Sequence, residues 1–181
     1  MSGLEPKDWA AYQTEALTEL LDIIIEDYRD KDNGQGVVLI GHSMGASFAA
    51  KLASTTSLPR SITSEHVVGL VAVCPKADPP NEKDTSLFKK LLYIPGPVFS
   101  AWRSWDRRGG IESKSVHRFV GKSADEDTKK LQFRFNEQSK TPAWRRVASG
   151  SLPIYEGGVA KGGLPGRDVW AGLEVPVFLV A

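Results

Sequence analysis

Cysteine and long apolar runs are almost absent from this sequence of 181 residues. Because Cys74 is the single cysteine, an intramolecular disulfide is excluded and a reducing compartment such as the cytoplasm is expected. No stretch reaches the roughly 18 consecutive apolar residues of a membrane span, and residues 1–8 lack the apolar core of a signal peptide. We therefore expect a cytoplasmic protein without a transmembrane segment, in which Cys74 is a small buried side chain at the end of a strand.

Specialised binding motifs are also missing. The glycine-rich segment at residues 155–167 lacks the lysine-serine ending of a phosphate-binding loop, and we interpret it as a flexible connection. A formal net charge of +1 gives no reason to expect a nucleic acid partner, and nothing in the sequence calls for a cofactor or a metal. With 41% hydrophobic and 25% charged residues, the chain has the composition of one ordinary globular domain.

Charge is unevenly distributed along the chain. Residues 1–32 carry nine acidic and three basic side chains, whereas residues 101–146 carry twelve basic and six acidic ones. Two solvated faces of opposite charge are the simplest interpretation. The alternative is a basic lid that contacts anionic headgroups at a membrane surface or an acidic acyl donor.

The most informative segment lies between residues 36 and 50. The apolar, β-branched run at residues 37–40 predicts a buried strand, and the small residues after Ser43 predict a helix packed tightly on that strand. Ser43 therefore lies at a sharp strand-to-helix turn, in a strained conformation that points its hydroxyl away from the sheet edge. Side chains two residues to either side would clash, so Gly41 and Gly45 are expected to provide room.

The segment Gly41-His42-Ser43-Met44-Gly45 resembles the nucleophile elbow of the α/β-hydrolase superfamily, and in particular its esterase, lysophospholipase and thioesterase branches. The resemblance implies that Ser43 is the catalytic nucleophile and that the backbone amide of Met44 donates a hydrogen bond to the oxyanion. His42 is adjacent to the nucleophile, but we expect it to pack beside the elbow.

The order of the elements predicts an α/β fold. Apolar residues at helical spacing predict an amphipathic helix at residues 5–29 with a capping box formed by Ser2 and Glu5, and continuous apolar runs predict strands at residues 67–73 and 175–180. Alternation of helix and strand is typical of an open parallel sheet. The resemblance therefore implies a partial α/β-hydrolase fold of three parallel core strands with flanking helices.

Between the second and third strands the pattern changes. Residues 76–150 contain amphipathic pieces and no buried-strand run. The resemblance implies that this segment is a helical cap, inserted between a core segment at residues 1–75 and a return to the core at residues 151–181. We predict helices at residues 86–93, 98–105, 124–138 and 142–147.

An aromatic stripe marks the second of these predicted helices. Phe99, Trp102 and Trp105 lie three residues apart and share one helix face. The stripe either packs the cap onto the core or lines an apolar pocket for an acyl group.

A serine nucleophile also needs a histidine base, an acid that orients the base and a second backbone donor to the oxyanion. In the family, the acid follows the strand that residues 175–180 match, the histidine follows the next strand, and the second donor lies in an early loop. The chain begins one helix before the elbow and ends at Ala181. We therefore expect these three groups to lie outside it and the chain to be a truncated, inactive form.

Three residues inside the chain are weaker candidates for the missing groups. Asp78 follows the second strand, where some relatives carry the acid, although a turn residue is the simpler interpretation. His117 lies in the cap and His66 lies at the start of a strand, opposite the catalytic end. Neither matches the position of the family's histidine.

The sequence leaves two functions open. The first is hydrolysis of a carboxylic ester or thioester of a small acyl or lipid-like molecule, through an acyl-enzyme on Ser43. The second is a non-catalytic isoform or interaction module that binds a protein partner through exposed sheet edges. A coding sequence that continues into a glycine-aspartate loop and then a histidine would favour the first.

Overall fold

The computed structural model describes residues 6–76 and 78–180. The chain divides into two compact units, one formed by the chain up to residue 86 together with residues 149 onward, and the other by residues 87–148. We call the first the sheet unit and the second the helical unit.

Strands and helices alternate in the sheet unit, and helices alone fill the helical unit. The strands are β1 (Val37–His42), β2 (Val67–Val73), β3 (Ile154–Glu156), β4 (Val159–Lys161) and β5 (Val177–Val180). The helices are α1 (Thr14–Tyr28), α2 (Met44–Ala53), α3 (Glu82–Leu92), α4 (Gly96–Asp106), α5 (Lys114–Val120), α6 (Glu126–Gln138), α7 (Thr141–Gly150) and α8 (Arg167–Ala171).

Three parallel strands form the main sheet, which confirms the predicted α/β fold. Their order is β1-β2-β5, so β2 is central and the other two are the outer strands of the described sheet. Small side chains let α2 approach the sheet closely, and Ala46 and Ala50 are completely buried. They pack in one core with Leu70, which is 1% exposed. This packing places the start of α2 directly after the carboxyl end of β1.

A row of apolar side chains on the sheet is exposed in the described residues. The strand register pairs Ile40 with Val71 and Val71 with Phe178, and paired residues in neighbouring strands point to the same face. Ile40 is 75% exposed and Phe178 is 66% exposed. Parallel sheets are ordinarily covered on both faces, so this row is an unusual surface for such a sheet.

The first helix starts later than the sequence predicts. Residues 6–8 are not helical, and a 3₁₀ turn at Ala10–Tyr12 precedes an extended residue, Gln13, before α1 begins. Gly150 packs against the backbone here, and the Thr14 hydroxyl donates to its carbonyl oxygen at 3.1 Å. This contact holds the chain in a turn where the apolar spacing alone favoured a helix. The predicted capping box of Ser2 and Glu5 lies outside the described residues.

The helical unit contains the four helices predicted there and one that the sequence analysis missed. Helix α5 begins after Ser113, whose side-chain oxygen accepts from the amide of Val116 at 3.3 Å, and ends at Gly121, which has φ of 79°. A serine cap at the start and a glycine after the end are ordinary signals of a short helix. The helix was overlooked because its apolar periodicity covers only two turns.

The glycine-rich segment near residue 157 forms a hairpin that the sequence analysis did not predict, and the predicted flexibility of residues 155–167 stays a prediction. Gly157 and Gly158 have φ of 60° and 80° and join β3 to β4 in an antiparallel hairpin. Two adjacent residues with positive φ form the tight turn that matches the twist of a hairpin, and glycine adopts it at little cost.

Cys74 is exposed, contrary to the prediction that it is buried. It lies just beyond the end of β2, with φ of 47°, and its amide donates to the carbonyl oxygen of Val180 at 2.6 Å. The strand ends at Val73 as predicted, but the turn that follows it brings the thiol to the carboxyl edge of the sheet.

Candidate active site

Ser43 occupies a strained turn between β1 and α2. Its φ of 53° and ψ of −117° lie in a region that residues other than glycine rarely adopt. Its amide donates to the carbonyl oxygen of Val73 on the neighbouring strand at 2.8 Å, and its carbonyl oxygen accepts from the amide of Ala46 at 3.0 Å. The sheet and the helix thus hold the strained backbone from both sides, which is how such conformations persist in folded proteins.

The two glycines beside Ser43 play different parts. A Cβ atom on Gly41 would lie 2.4 Å from the carbonyl oxygen of Gly45 and 2.6 Å from the Cα of Ala46, so only glycine fits there. A Cβ atom on Gly45 would meet nothing within 4 Å. The sequence motif predicts the same steric role for both residues, and the described structure requires it only at Gly41.

Backbone donors lie next to the Ser43 hydroxyl. The amides of Met44 and Gly45 are the first in α2, so they have no acceptor within the helix. The helix dipole adds a partial positive charge at this end. The arrangement suits an oxyanion on an acyl carbon attached to Ser43, since such an anion needs preorganised N–H donors.

The hydroxyl of Ser43 has no hydrogen-bonded base within residues 6–76 and 78–180. The side chain of His42 is exposed and makes no hydrogen bond to any of these residues. His66 precedes β2 at the opposite end of the sheet, about 20 Å away for a six-residue strand. His117, in the helical unit, lies with Nε2 at 2.8 Å from Oε2 of Glu112. Within the sheet unit, neither His42 nor His66 is placed to accept the serine proton.

Asp78, the candidate acid, is bound to an arginine. Arg167 donates from Nε to Oδ1 at 2.9 Å and from Nη2 to Oδ2 at 2.9 Å. These hydrogen bonds are the main cause that raises the pKa of Arg167, and the negative charge of the carboxylate is the second cause. No histidine contacts Asp78 in the part of the chain that the structure describes, so its role as the acid stays a prediction.

The aromatic stripe separates in the structure. Phe99 is buried and its ring centroid lies 5.5 Å from those of Trp102 and Trp144. Phe99 and Trp102 line a cavity in the helical unit, whereas Trp105 lies outside the lining and faces the Lys114 ammonium group at 5.4 Å. The stripe is therefore not one continuous surface.

Arginines also line this cavity, and the sequence analysis did not single them out. Arg103 and Arg107 lie four residues apart, so they share a helix face, and they belong to the strongly basic segment at residues 101–146. Their four-residue spacing within a basic segment was the signal from which the sequence could have indicated this pair of arginines.

Neither a metal-binding cluster nor a membrane-spanning helix is present among the described residues. No group of three or more histidine, cysteine or acidic side chains is arranged to hold a metal ion. No described helix combines the length and apolar character required to cross a bilayer.

Comparison with known proteins supplies the family context. Residues 2–181 match a sequence model described as the alpha/beta hydrolase family. An abhydrolase domain-containing protein of Schizosaccharomyces pombe is 30% identical over 124 residues, which cover 67% of this chain and 32% of that protein. The chain thus spans about a third of the length of this curated relative.

Solved structures show the same fold. The crystal structure of a bromoperoxidase from Bacillus anthracis superimposes with a TM-score of 0.56 at 13% identity, covering 98% of this chain and 58% of that one. A mutant of DBJA gives a TM-score of 0.51 at 16% identity, covering 98% of this chain and 60% of the other. Their likeness to this chain is one of fold.

Proposed function

The chain belongs to the alpha/beta hydrolase family, and from that premise we propose that Ser43 is the nucleophile of a serine hydrolase acting on carboxylic esters or thioesters. The observation that carries the proposal is the backbone of Ser43, which has φ of 53° at the junction of β1 and α2. A strained serine at this junction exposes its hydroxyl beside unpaired helix amides. A structural serine gains nothing from such strain.

The reaction follows from these groups. The Ser43 oxygen attacks the acyl carbon, its proton passes to a base, and the oxyanion accepts hydrogen bonds from the amide of Met44. The carbon–oxygen or carbon–sulfur bond of the leaving group then breaks, and the alcohol or thiol departs with a proton. Water attacks the acyl-enzyme in the same way, releasing the carboxylic acid and restoring the serine.

We assign the base to polypeptide outside the described residues. The acid that orients the base is assigned there as well, and Asp78 is the one candidate for it among the described residues. Without a base, the chain alone is expected to have only the residual catalysis that donors and binding provide, about 10³- to 10⁴-fold over water. We assign contact with the acyl group to the aromatic residues of α4, Phe99 and Trp102, with Trp105 as the third candidate.

Acylation by p-nitrophenyl butanoate and S-phenyl thiobutanoate tests this proposal. Long incubation followed by intact mass measurement and peptide mapping is expected to show one butanoyl group, located on Ser43. The adduct is expected to disappear in Ser43→Ala and to persist in Ser123→Ala, which removes another exposed serine hydroxyl. Butanoyl groups spread over several serines, or none on Ser43, would contradict the assignment.

The exposed apolar row on the sheet supports a second candidate, a module that binds another polypeptide. Ile40, Val71 and Phe178 form a strip across all three strands, and β1 and β5 are the outer strands. Unpaired outer strands and exposed apolar faces favour association with another chain.

Sedimentation velocity tests this second function through self-association, which an exposed apolar strip promotes. The chain is expected to associate reversibly as its concentration rises. Ile40→Lys is expected to weaken the association, and Gln138→Lys, which adds the same charge in the helical unit, to leave it unchanged. A chain that stays monomeric at every concentration would remove the support for this function.

A further inference from the structure

A cavity within the helical unit combines aromatic walls with unpaired arginines. It has a volume of about 160 Å³, and its apolar lining includes Phe99, Trp102 and Trp144. An engineered apolar cavity of about 150 Å³ is large enough to bind benzene. The space therefore accommodates a group of the size of one aromatic ring or a short acyl chain.

The charges around the cavity do not balance. Asp106 is the only carboxylate in the lining, and it already accepts from Nη2 of Arg118 at 2.8 Å. Arg103 and Arg107 therefore have no carboxylate partner there, and within the described residues neither forms a salt bridge. The lining of the cavity carries two uncompensated positive charges.

Neutral groups accept the hydrogen bonds that these two arginines make. Arg103 donates to the Thr141 hydroxyl and to the carbonyl oxygen of Ser139, both at 2.9 Å, and Arg107 donates to the same carbonyl oxygen at 3.3 Å. The guanidinium of Arg107 thus uses one of its five N–H donors in this bond. The remaining donors of Arg107 are available to a ligand.

Burial strengthens the attraction for an anion. Burial is the main cause that lowers the pKa of Arg103, and the positive charge of Arg107 is the second cause. Arg103 nevertheless remains charged at neutral pH. An anion between the two guanidinium groups would relieve their mutual repulsion and form charge-assisted hydrogen bonds. Such interactions are stronger in a partly desolvated cavity than in water.

We propose that this cavity binds a small organic anion, in which a carboxylate or phosphate is attached to an apolar group of ring size. The anionic group binds Arg103 and Arg107, and the apolar group packs against Phe99, Trp102 and Trp144. The proposal goes beyond the hydrolase function and does not require that Ser43 is catalytic.

Isothermal titration calorimetry of the full chain tests the proposal with four probes. Phenyl phosphate and benzoate combine both features, whereas phenol has only the ring and inorganic phosphate has only the anion. We expect saturable binding of at least one combined probe, with phenol and inorganic phosphate at least about tenfold weaker. The tighter of the two combined probes identifies the anionic group. Two results would overturn the proposal. One is inorganic phosphate that binds as tightly as phenyl phosphate and benzoate, and the other is the absence of saturable binding of either combined probe.

Two neighbouring arginines provide matched variants. Arg107→Gln removes a cavity donor and Arg108→Gln removes an exposed charge outside the lining, so both change the net charge equally. Arg107→Gln is expected to weaken binding about tenfold, the effect of one charge-assisted hydrogen bond, and Arg108→Gln to change it less than about twofold. Equal losses of binding affinity in the two variants would mean that the probe is attracted only by the net charge of the protein, and this result would overturn the proposal.

Folding is checked by the thermal unfolding midpoint of each variant. If Arg107→Gln does not fold, Trp102→Ala takes its place, because Trp102 is half-exposed and contacts the proposed apolar group. Trp102→Ala is expected to weaken the binding of the combined probes and to leave the binding of inorganic phosphate unchanged. Binding of the combined probes that is unaffected by this change would also overturn the proposal.

Discussion

Alanine substitutions at Gly41 and Gly45 separate two roles that the sequence motif treats as one. At Gly41 the added methyl carbon would lie 2.4 Å from the carbonyl oxygen of Gly45 and 2.5 Å from its carbonyl carbon, much closer than atoms pack in proteins. Both atoms belong to the backbone at the start of α2, so the helix has to move away from β1. Forced shifts of this kind cost about 1–3 kcal/mol, and we expect Gly41→Ala to lower the free energy of unfolding by at least about 2 kcal/mol.

At Gly45 the same change is expected to have the opposite sign. The added methyl group meets nothing within 4 Å, and Gly45 lies in the first turn of α2 with an ordinary φ. Alanine is favoured over glycine in a helix by about 1 kcal/mol in interior positions. We therefore expect Gly45→Ala to raise the free energy of unfolding by about 0.5–1 kcal/mol.

Urea unfolding followed by tryptophan fluorescence measures both changes. The two variants are expected to differ by about 3 kcal/mol, with the same dependence on urea concentration as the parent. A Gly41→Ala chain as stable as the parent would refute the steric argument, and a strongly destabilised Gly45→Ala chain would refute the assignment of open space at that position.

Three further predictions concern single side chains. Ser43→Gly is expected to relieve the positive φ and raise the free energy of unfolding by about 1 kcal/mol, whereas Ser43→Ala is expected to change it little in the same urea assay. Asp22 accepts hydrogen bonds from residues 61–63, and although burial raises its pKa, these bonds lower it more, so the net shift is downward. Because the folded-state pKa is lowered, Asp22 stabilises the fold at neutral pH and loses this effect as the pH falls through that pKa. At pH 7, Asp22→Asn is expected to lose about 1–3 kcal/mol of unfolding free energy relative to Asp27→Asn, and this difference should shrink as the pH falls through the lowered pKa of Asp22. Asp78→Asn breaks an exposed ion pair and is expected to lower the free energy of unfolding by less than about 1 kcal/mol in the urea assay, so a larger loss would indicate an unrecognised role.

The elements of the sheet unit could be predicted because their local signals and their packing agree. β2 occupies the predicted residues, because a continuous apolar run is typical of a strand in a parallel sheet, and β1 continues past its predicted run to His42. The turn at Ser43 was equally accessible, because an apolar strand-forming run ends shortly before the serine and a run of small residues typical of a tightly packed helix follows it.

Other features depended on contacts between distant residues. The start of α1 is set by Gly150, which lies far away in sequence, and no local pattern at residues 6–13 indicates it. The hairpin around Gly157 was missed because its strands have only three residues each. The arginine-lined cavity is formed by four helices, α4 to α7, and the contact of Arg103 with Ser139 joins residues 36 positions apart in sequence.

Reaction with a fluorophosphonate, with the intact protein mass measured over time, tests the central claim most directly. The claim is that Ser43 is a positioned nucleophile and that the described residues supply no base to it. The account predicts no adduct within minutes and, after long incubation, a single adduct that maps to Ser43 and is lost in Ser43→Ala. Rapid labelling of Ser43 would contradict the absence of a base. Slow adducts scattered over other serines, in a chain that unfolds cooperatively and is therefore folded, would contradict the assignment of Ser43 as the nucleophile.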